Sequence, residues 1–216
     1  MDSTLRNSSN TTHQSQDRNT QGDAYFSADV ETDGPIPGPC SILSFALVYA
    51  GSFDGRHFQR PDTYGQVLYK ELRPISENFE REALQINGLD RARLCVEGEF
   101  PEMAMTEASR WVKGIAGAAQ PVLVAYPLSF DWSWLYWYFI RFSAEGSPFA
   151  YSRCFDIKTA LAVKAAIPIS EAGRSQIDPS LRSRHPHTHN AVDDAIAQAE
   201  IFANVFEWGG ARGRTR

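Results

Sequence analysis

Asp29 and Glu31 are two acids with a single residue, Val30, between them, near the start of the apolar part of the sequence. Residues 24–30 predict a strand, and residues i and i+2 of a strand point to the same face. Two like charges side by side repel one another unless a cation lies between them. The pair is therefore typical either of a solvated strand end or of half a cation site.

A third acid, Asp131, follows the continuous apolar run of residues 121–126. Such a run predicts a strand that is covered on both faces. Residues 129–142 predict the next helix, with Ser129 as its N-cap. Asp131 then lies in the first helical turn, where the helix dipole favours an ionised carboxylate. Alone, an acid at this position is usually only a partner of the dipole.

A fourth acid belongs to the segment His-Asn-Ala-Val-Asp-Asp-Ala at residues 189–195. Asn190 can cap the last helix, and Asp193 is placed to reach back to it as in a capping box. Asp194 lies one step further round the helix, while His189 stays in the preceding loop and can face the same place. The segment alone fits a capped surface helix as well as a functional site.

Together, the four acids are hard oxygen donors at strand ends and helix starts: Asp29, Glu31, Asp131 and Asp194. Hard donors select Mg²⁺ or Mn²⁺ over zinc. Two such ions about 4 Å apart can activate a water and stabilise both oxygens of an in-line displacement at phosphorus. A histidine beside them, with an unperturbed pKa near 6.5, suits the role of proton acceptor, which here falls to His189.

The elements that must position these residues follow from the hydrophobic pattern. Strands are predicted over residues 24–30, 41–50, 66–72, 121–126 and 154–157. Helices are predicted over residues 78–85, 101–115, 129–142, 158–166 and 190–208. Strands followed by alternating helices and strands predict an α/β fold, a mixed sheet of about five strands with helices on its faces.

Composition restricts the class of protein. The chain has 216 residues, 43% of them hydrophobic, and a formal charge of −5, which fits one globular domain. The longest aromatic-rich run, residues 130–142, is interrupted by Asp131 and Arg141, so no spanning helix is expected. A polar beginning without an apolar core argues against a signal peptide. Three widely spaced cysteines argue against a disulfide framework, and a cytoplasmic location is expected.

Three motifs in this sequence resemble the exonuclease motifs of the DEDDh (DnaQ-like) family of 3′→5′ exonucleases, in the RNase H-like superfamily. They are D-x-E-T-x-G at residues 29–34, F-D at 130–131 and H-x-A-x-x-D-A at 189–195. Ile86-Asn87-Gly88-Leu89 and Phe155-Asp156-Ile157 also look like family segments. The resemblance covers roughly residues 24–206 and implies an RNase H-like mixed sheet with helices on both faces.

The resemblance implies a role for each matching residue. Asp29, Glu31, Asp131 and Asp194 would hold two divalent metal ions, Mg²⁺ or Mn²⁺, with His189 as general base. The backbone at Thr32 would meet the terminal 3′-hydroxyl, and Phe130 would pack near the terminal nucleotide. Tyr126-Pro127 departs from the family's usual His-Asn. Tyr126 is therefore either a base-stacking residue or a core residue at a strand end.

These observations predict a metal-dependent 3′→5′ exonuclease that acts on 3′ ends of single-stranded nucleic acid and releases nucleoside 5′-monophosphates. RNA and DNA stay open, because no motif for reading bases is present. The alternatives are a catalytically silent nucleic-acid-binding scaffold of the same fold and an RNase H-like endonuclease. The expected organisation is a disordered tail over residues 1–22, an exonuclease domain over 23–209 and a flexible end over 210–216.

Two further features have more than one interpretation. Aromatic residues surround the helix predicted over residues 129–142, which fits core packing, a homodimer interface or a base-stacking surface. The arginines Arg174, Arg182 and Arg184 precede His189 and fit either a solvated loop or a guide for the substrate backbone.

Overall fold

The computed structural model describes residues 22–185 and 188–211. The predictions for residues 1–21 of the tail and for residues 212–216 lie outside the described residues. The described part forms one mixed sheet with helices on both faces, so the predicted fold class is confirmed.

The sheet has six strands in the part of the chain that is described: β1 (Asp23–Thr32), β2 (Ile42–Phe53), β3 (Phe58–Gln59), β4 (Val67–Glu71), β5 (Gln120–Ala125) and β6 (Cys154–Asp156). β1 lies at the centre, antiparallel to β2 on one side and parallel to β5 on the other. β6 extends the parallel half beside β5, while β3 and β4 both pair with β2. The sheet exceeds the predicted five strands by β3, which is only two residues long.

Six α-helices accompany the sheet in the described ranges: α1 (Arg81–Asn87), α2 (Arg91–Glu97), α3 (Pro101–Ala116), α4 (Leu128–Phe142), α5 (Ile157–Ala165) and α6 (Ala191–Glu207). Helix α2 was not among the predicted elements. Short 3₁₀ turns at Ile169–Glu171, Arg174–Gln176 and Pro179–Leu181 lie in the stretch between α5 and α6. No helix of the described residues has both the length and the apolar character needed to cross a membrane.

The alternation of β1 decides which helices cover each face of the sheet. Phe26 and Ala28 pack into the core formed with α3 and α4, whereas Tyr25 packs into the core formed with α5 and α6. Because side chains two residues apart share a face, Asp29 and Glu31 continue the row of Tyr25. Both carboxylates therefore lie on the α6 side of the sheet.

Helix α4 begins one residue earlier than predicted, and Ser129 is not its N-cap. The helix starts at Leu128, and the N-cap position is held by Pro127, which offers no capping side chain. The oxygen comes from β6, because Asp156 Oδ2 accepts the Leu128 N–H at 2.6 Å. The other oxygen of Asp156 accepts the Thr159 N–H at 2.6 Å and caps α5. One carboxylate thus fixes the starts of two helices.

The aromatic residues of α4 divide between the core and the surface. Trp134, Tyr138 and Phe139 are fully buried, and the Tyr138 hydroxyl accepts the Ile42 N–H at 2.8 Å. Trp132 and Tyr136 are half-buried and stack on one another with ring centroids 4.8 Å apart. Core packing therefore accounts fully for the face of Trp134, Tyr138 and Phe139, while Trp132 packs against the edge of the core.

Candidate active site

The carboxyl end of β1 supplies the first two acids of the site. Asp29 and Glu31 both belong to the strand, which continues to Thr32, and both are half-buried. Pairing between β1 and β5 ends at Ser27 and Val124, so the side chain of Asp29 lies just beyond the last paired position. The end of the strand therefore presents two carboxylates where the neighbouring strand no longer covers it.

The start of α6 supplies the third acid. Asn190 is the N-cap, as predicted, and its Oδ1 accepts the N–H groups of Val192 at 3.0 Å and Asp193 at 3.4 Å. The carboxylate of Asp193 accepts the Thr188 hydroxyl at 2.9 Å. Asp194 is 1% exposed and turned inward, and its Oδ1 accepts the Thr188 N–H at 3.2 Å. The capped start of α6 thus carries Asp194 on the side of the helix that faces Asp29 and Glu31.

These elements bring three of the predicted acids into one cluster. One carboxylate oxygen from each of Asp29, Glu31 and Asp194 lies within 4.8 Å of the other two. The three residues are separated by up to 165 positions in the sequence, as 194 − 29 = 165. Only oxygen atoms meet here, so the donor chemistry is that of a hard divalent cation site.

The fourth acid, Asp131, lies beside this cluster in the first turn of α4. It is 6% exposed, and its Oδ1 accepts the Val30 N–H at 3.1 Å, between the two acids of β1. Its negative charge acts on both Asp29 and Glu31. All four predicted acids therefore surround the same end of β1.

Burial and mutual repulsion shift the titration of these acids. Burial, followed by the charges of the other three acids, raises the pKa of Asp29 well above its usual value, while Arg174 opposes the shift. Burial, Asp194 and Asp131 raise the pKa of Glu31 to about 8. Burial raises the pKa of Asp131 to about 7 against the opposing effect of nearby backbone N–H groups and Arg174. The site thus lacks enough positive charge to balance four ionised carboxylates.

His189 lies in the loop immediately before α6. Its side chain is exposed, and its backbone has a positive φ of 55°. The preceding residue, Thr188, is bound to Asp194 through its N–H and to Asp193 through its hydroxyl. The loop is therefore fastened to the acidic cluster directly beside the histidine, and its role as general base stays a prediction.

A cavity of about 330 Å³ opens beside Glu31, between the end of β1 and α1. Thr32 lines it, with its Oγ1 donating to the Gly34 carbonyl at 2.8 Å and its own carbonyl accepting from Asn87 Nδ2 at 3.0 Å. Phe130 lines another side and is 41% exposed. The cavity has the size of a small-ligand site and touches the cluster through Glu31.

The loop after β1 is held against this cavity by close packing and a buried ion pair. A Cβ on Gly34 would collide with Cys40 Sγ, so only glycine fits this position of the motif. Asp33 is fully buried, and one of its oxygens accepts from Arg91 Nε at 2.9 Å. Its carbonyl accepts the Glu80 N–H at 2.8 Å, which ties the cavity wall to the strand end.

Tyr126 is not among the residues that line the cavity. Its side chain is 4% exposed, and its hydroxyl donates to the Ala172 carbonyl at 2.8 Å. The Arg174 guanidinium lies over the ring at 5.7 Å from its centroid, and the peptide bond to Pro127 is cis. Of the two interpretations of Tyr126, this position favours the core residue at a strand end.

The arginines before His189 also have defined positions. Arg174 is close enough to the cluster for its charge to act on Asp29 and Asp131. Arg182 Nε donates to the Ile177 carbonyl at 3.0 Å, and Arg184 Nε donates to Glu200 at 2.8 Å. Arg174 thus faces the site, whereas Arg182 and Arg184 hold the loop.

Gln198 contacts the cluster and was not among the predicted site residues. Gln198 of α6 is buried, and its Nε2 donates to Asp29 Oδ1 at 2.8 Å. Its spacing of one helical turn from Asp194 was the available signal, because residues i and i+4 of a helix lie on the same face. A glutamine within a helix is otherwise too common to indicate a site.

Comparison with known proteins agrees with this geometry. The family model described as Exonuclease (RNase_T) matches residues 28–202. The 3′-5′ DNA exonuclease Cap18 of Escherichia coli is 30% identical over 184 residues, which cover 85% of this chain and 91% of that protein. The residues matched by the family model include all four acids of the site and His189.

Solved structures at low sequence identity share the fold. The nuclease domain of 3′hExo, a DEDDh family member bound to rAMP, gives a TM-score of 0.63 at 12% identity, covering 88% of this chain and 94% of that one. E. coli exonuclease I with a dT13 oligonucleotide gives 0.57 at 15% identity. That match covers 86% of this chain but only 41% of exonuclease I. The chain therefore belongs to the exonuclease family and is a 3′→5′ exonuclease with the RNase H-like fold of the DEDDh nucleases.

Proposed function

We propose that this exonuclease removes nucleotides one at a time from the 3′ end of single-stranded DNA and releases nucleoside 5′-monophosphates. The observation that carries the proposal is the cluster of Asp29, Glu31 and Asp194 oxygens within 4.8 Å of one another. This cluster adjoins a cavity that reaches it through Glu31. A terminal nucleotide bound in the cavity would bring its phosphodiester to the carboxylates.

The donor set fits divalent cations. The cluster offers only carboxylate oxygens, which suit Mg²⁺ and Mn²⁺. The charges of neighbouring acids also help to raise the pKa of Asp29 and Glu31, which indicates unbalanced negative charge. Asp29, Glu31, Asp131 and Asp194 would together hold two ions. When bound, such ions lower the pKa of a water and stabilise the charge that develops on the phosphate oxygens.

The chain's own residues supply proton transfer and positioning. His189 accepts the proton of the attacking water. It can do so because the hydrogen bond from the Thr188 N–H to Asp194, at 3.2 Å, keeps its loop beside the acids. The bond between phosphorus and the leaving 3′-oxygen then breaks. Asp131 keeps its orientation through the Val30 N–H at 3.1 Å, so its carboxylate stays fixed relative to β1.

The cavity residues bind the terminal nucleotide. The backbone around Glu31 and Thr32 meets the 3′-hydroxyl, and the partly exposed ring of Phe130 packs against the nucleotide. Tyr126 contributes indirectly, because its buried ring shapes the end of β5. None of these contacts reads a base edge, which suits an enzyme that accepts successive ends.

DNA is the proposed substrate because the curated relative is named as a DNA exonuclease. The structural neighbours include exonuclease I with dT13 and dA16 oligonucleotides and a 3′-exonuclease that recognises a histone mRNA stem–loop. They support nucleic acid as the partner class. Matched single-stranded DNA and RNA of one sequence, assayed with Mg²⁺ and with Mn²⁺, test this choice, and faster degradation of RNA would overturn it.

The test of the site is a pair of charge-removing variants. Asp29→Asn and Asp194→Asn should reduce degradation of a 5′-labelled oligonucleotide by at least about 10³-fold, because each replaces an anionic oxygen donor of the cluster with a neutral amide. Asp62→Asn is the matched control, since Asp62 is exposed and lies outside the cluster. Circular dichroism checks that every variant is folded. Wild-type activity in Asp194→Asn would reject the site.

The direction of cleavage has its own test. The 5′-labelled strand should shorten stepwise, a 3′-blocked strand should survive, and a circular single strand should resist. Internal fragments from the circle would instead indicate an RNase H-like endonuclease. Analysis of the released product by chromatography distinguishes nucleoside 5′-monophosphates from longer products.

Three further expectations stay predictions. The exonuclease domain would span residues 23–209, which limited proteolysis tests. A homodimer would use the outer face of α4, where Ile140 is 60% exposed, and sedimentation tests it. A cytoplasmic location is tested by cell fractionation.

A further inference from the structure

Gln198 is a buried polar residue in α6, and both ends of its carboxamide are bound. The residue is 1% exposed. Its Nε2 donates to Asp29 Oδ1 at 2.8 Å, and its Oε1 accepts the Tyr126 N–H at 2.6 Å. The side chain therefore bridges the end of β1 and the end of β5 from a third element.

The orientation of the carboxamide follows from its partners. A backbone N–H is only a donor, so the atom that faces Tyr126 must be the amide oxygen. The amide nitrogen must then face Asp29, where it donates to an acceptor. A flipped carboxamide would place a donor against a donor and an acceptor against a carboxylate. The contact with Tyr126 thus forces an N–H towards Asp29.

The bridge occupies the position where the sheet no longer connects the two strands. Pairing between β1 and β5 ends at Ser27 and Val124, two residues before Asp29 and Tyr126. Beyond that point Gln198 supplies the link between them. Asp29 therefore receives its fixed orientation from α6, the helix that also carries Asp194.

The apolar surroundings of Gln198 make its burial energetically unfavourable unless its amide is hydrogen-bonded. The neighbouring buried residues of α6 are Ala195, Ala199 and Phe202, which pack against the sheet. A buried amide is unfavourable unless its donors and acceptors are bound, and an apolar residue would fill the same space without that requirement. Three polar residues of α6 are buried: Asp194, Gln198 and Glu200. Asp194 belongs to the acidic cluster and Gln198 binds Asp29, whereas Glu200 binds Ser183 and Arg184.

We propose that Gln198 is a positioning residue for the metal site, which holds Asp29 in the orientation that receives a divalent cation. One oxygen of Asp29 is fixed by the amide, and the carboxylate keeps its place in the cluster with Glu31 and Asp194. This inference rests on the proposed function, because it requires that Asp29 is a ligand. Partners that orient a ligand commonly change metal affinity about 10- to 100-fold when they are removed.

The decisive variant is Gln198→Met, which has similar length and removes both hydrogen bonds. Titration calorimetry with Mn²⁺ alone should give a dissociation constant about tenfold higher than in the wild type. The Mn²⁺ concentration that gives half-maximal hydrolysis should rise by a similar factor. The rate at saturating Mn²⁺ should return to within about threefold of the wild type, because the ligands themselves remain.

Gln198→Asn provides a second variant that stays polar, so it covers the case in which Gln198→Met does not fold. Its amide is one methylene shorter and cannot span the distance between Asp29 and Tyr126, so its Mn²⁺ affinity should also fall. Ile201→Val is the matched control, because it trims the packing of the same helix without touching the cluster. Its stability should fall, whereas its Mn²⁺ affinity should equal that of the wild type.

The outcomes separate this inference from the proposed function. Wild-type Mn²⁺ affinity in a folded Gln198 variant would overturn the positioning role and leave the metal site intact. Wild-type protein that binds no Mn²⁺ would overturn the proposed metal site itself. An equal loss of affinity in Ile201→Val would show that general loosening of α6 is the cause, which also overturns the inference.

Discussion

Without a bound cation, the acids of the site can lie side by side only because some of them stay protonated. Burial and repulsion raise the pKa of Glu31 to about 8, and burial raises that of Asp131 to about 7, both well above ordinary carboxyl values. A carboxylate with a raised pKa binds protons that the unfolded chain has already released. Protons and cations therefore compete for the same oxygens.

This competition predicts how stability depends on pH. Folded Glu31 binds more protons than unfolded Glu31 between about pH 4.5 and 8, so the cation-free protein should lose stability as pH rises through that window. Mg²⁺ or Mn²⁺ displaces those protons, so the gain in melting temperature on adding the ion should be larger at pH 8 than at pH 6. Thermal unfolding at both pH values, with and without the ion, measures the effect.

Glu31→Gln is the matched variant for this prediction. It removes one titrating group, so its cation-free melting temperature should depend less steeply on pH than that of the wild type. Stabilisation of the cation-free protein as pH rises from 6 to 8, with no difference between the variant and the wild type, would contradict the assignment.

At the scale of elements, sequence patterns correctly predicted the features that depend on neighbouring residues alone. The alternation of β1 placed Asp29 and Glu31 on one face, and Asn190 caps α6 as its residue type indicates. The failures involve contacts between distant segments. Ser129 resembles an N-cap, but Asp156 from β6 supplies the oxygen at Leu128, and no pattern near residue 129 contains that information.

Short and buried features escaped prediction for related reasons. β3 has two residues, too few for a hydrophobic period to be recognised. Helix α2 was not predicted, although the predicted helix α1 is equally short, so its length alone does not explain the miss. Gln198 looks like an ordinary polar residue of a helix until the packing of α6 places it against the ends of β1 and β5. The sequence therefore indicated the four acids that surround the end of β1, and its prediction of His189 as general base stays a prediction. The contact of Gln198 with Asp29 required the tertiary structure.

The loop that carries His189 depends on α6 at both of its ends, which gives a second prediction. Near its start, the buried carboxylate of Glu200 accepts from the Ser183 hydroxyl at 2.9 Å and from the N–H and Nε of Arg184 at 2.9 and 2.8 Å. Glu200→Gln replaces one of these two oxygens with an NH₂ group that faces a donor and removes the negative charge, so the attachment of the loop should weaken. We expect kcat to fall about tenfold, because small displacements of a catalytic group are costly.

A general loss of stability in α6 would not lower kcat while leaving the Mn²⁺ affinity unchanged. Glu200→Gln leaves the acidic cluster intact, so calorimetric Mn²⁺ affinity should match the wild type while kcat falls. Arg60→Gln is the control. It breaks the exposed ion pair, 2.7 Å between nitrogen and oxygen, that Arg60 makes with Glu207 at the other end of α6, away from the loop. Full activity in Glu200→Gln, or an equal loss in Arg60→Gln, would refute the role of Glu200.

At the scale of the whole molecule, long-range electrostatics oppose binding, because the protein and its nucleic-acid substrate are both negatively charged. The formal charge is −5, and the site itself gathers four acids, so long-range attraction does not draw the substrate in. Arg174 is the arginine whose charge acts on the cluster from the described loop between α5 and α6. Binding should therefore depend on a few contacts at the 3′ end together with the cations.

This arrangement predicts a weak dependence on salt and on substrate length. For single strands, log affinity falls against log salt by about 0.7 for each neutralised phosphate. We expect kcat/KM, measured at constant Mg²⁺ between 25 and 200 mM KCl, to fall with a slope shallower than about −2, which corresponds to fewer than about three contacted phosphates. Oligonucleotides of about 6 and 30 nucleotides should give nearly equal kcat/KM per 3′ end, since contacts beyond the first few phosphates add little. A slope steeper than about −4, or a strong gain with length, would instead require a basic track along the strand, and the proposed recognition of the 3′ end alone would fail.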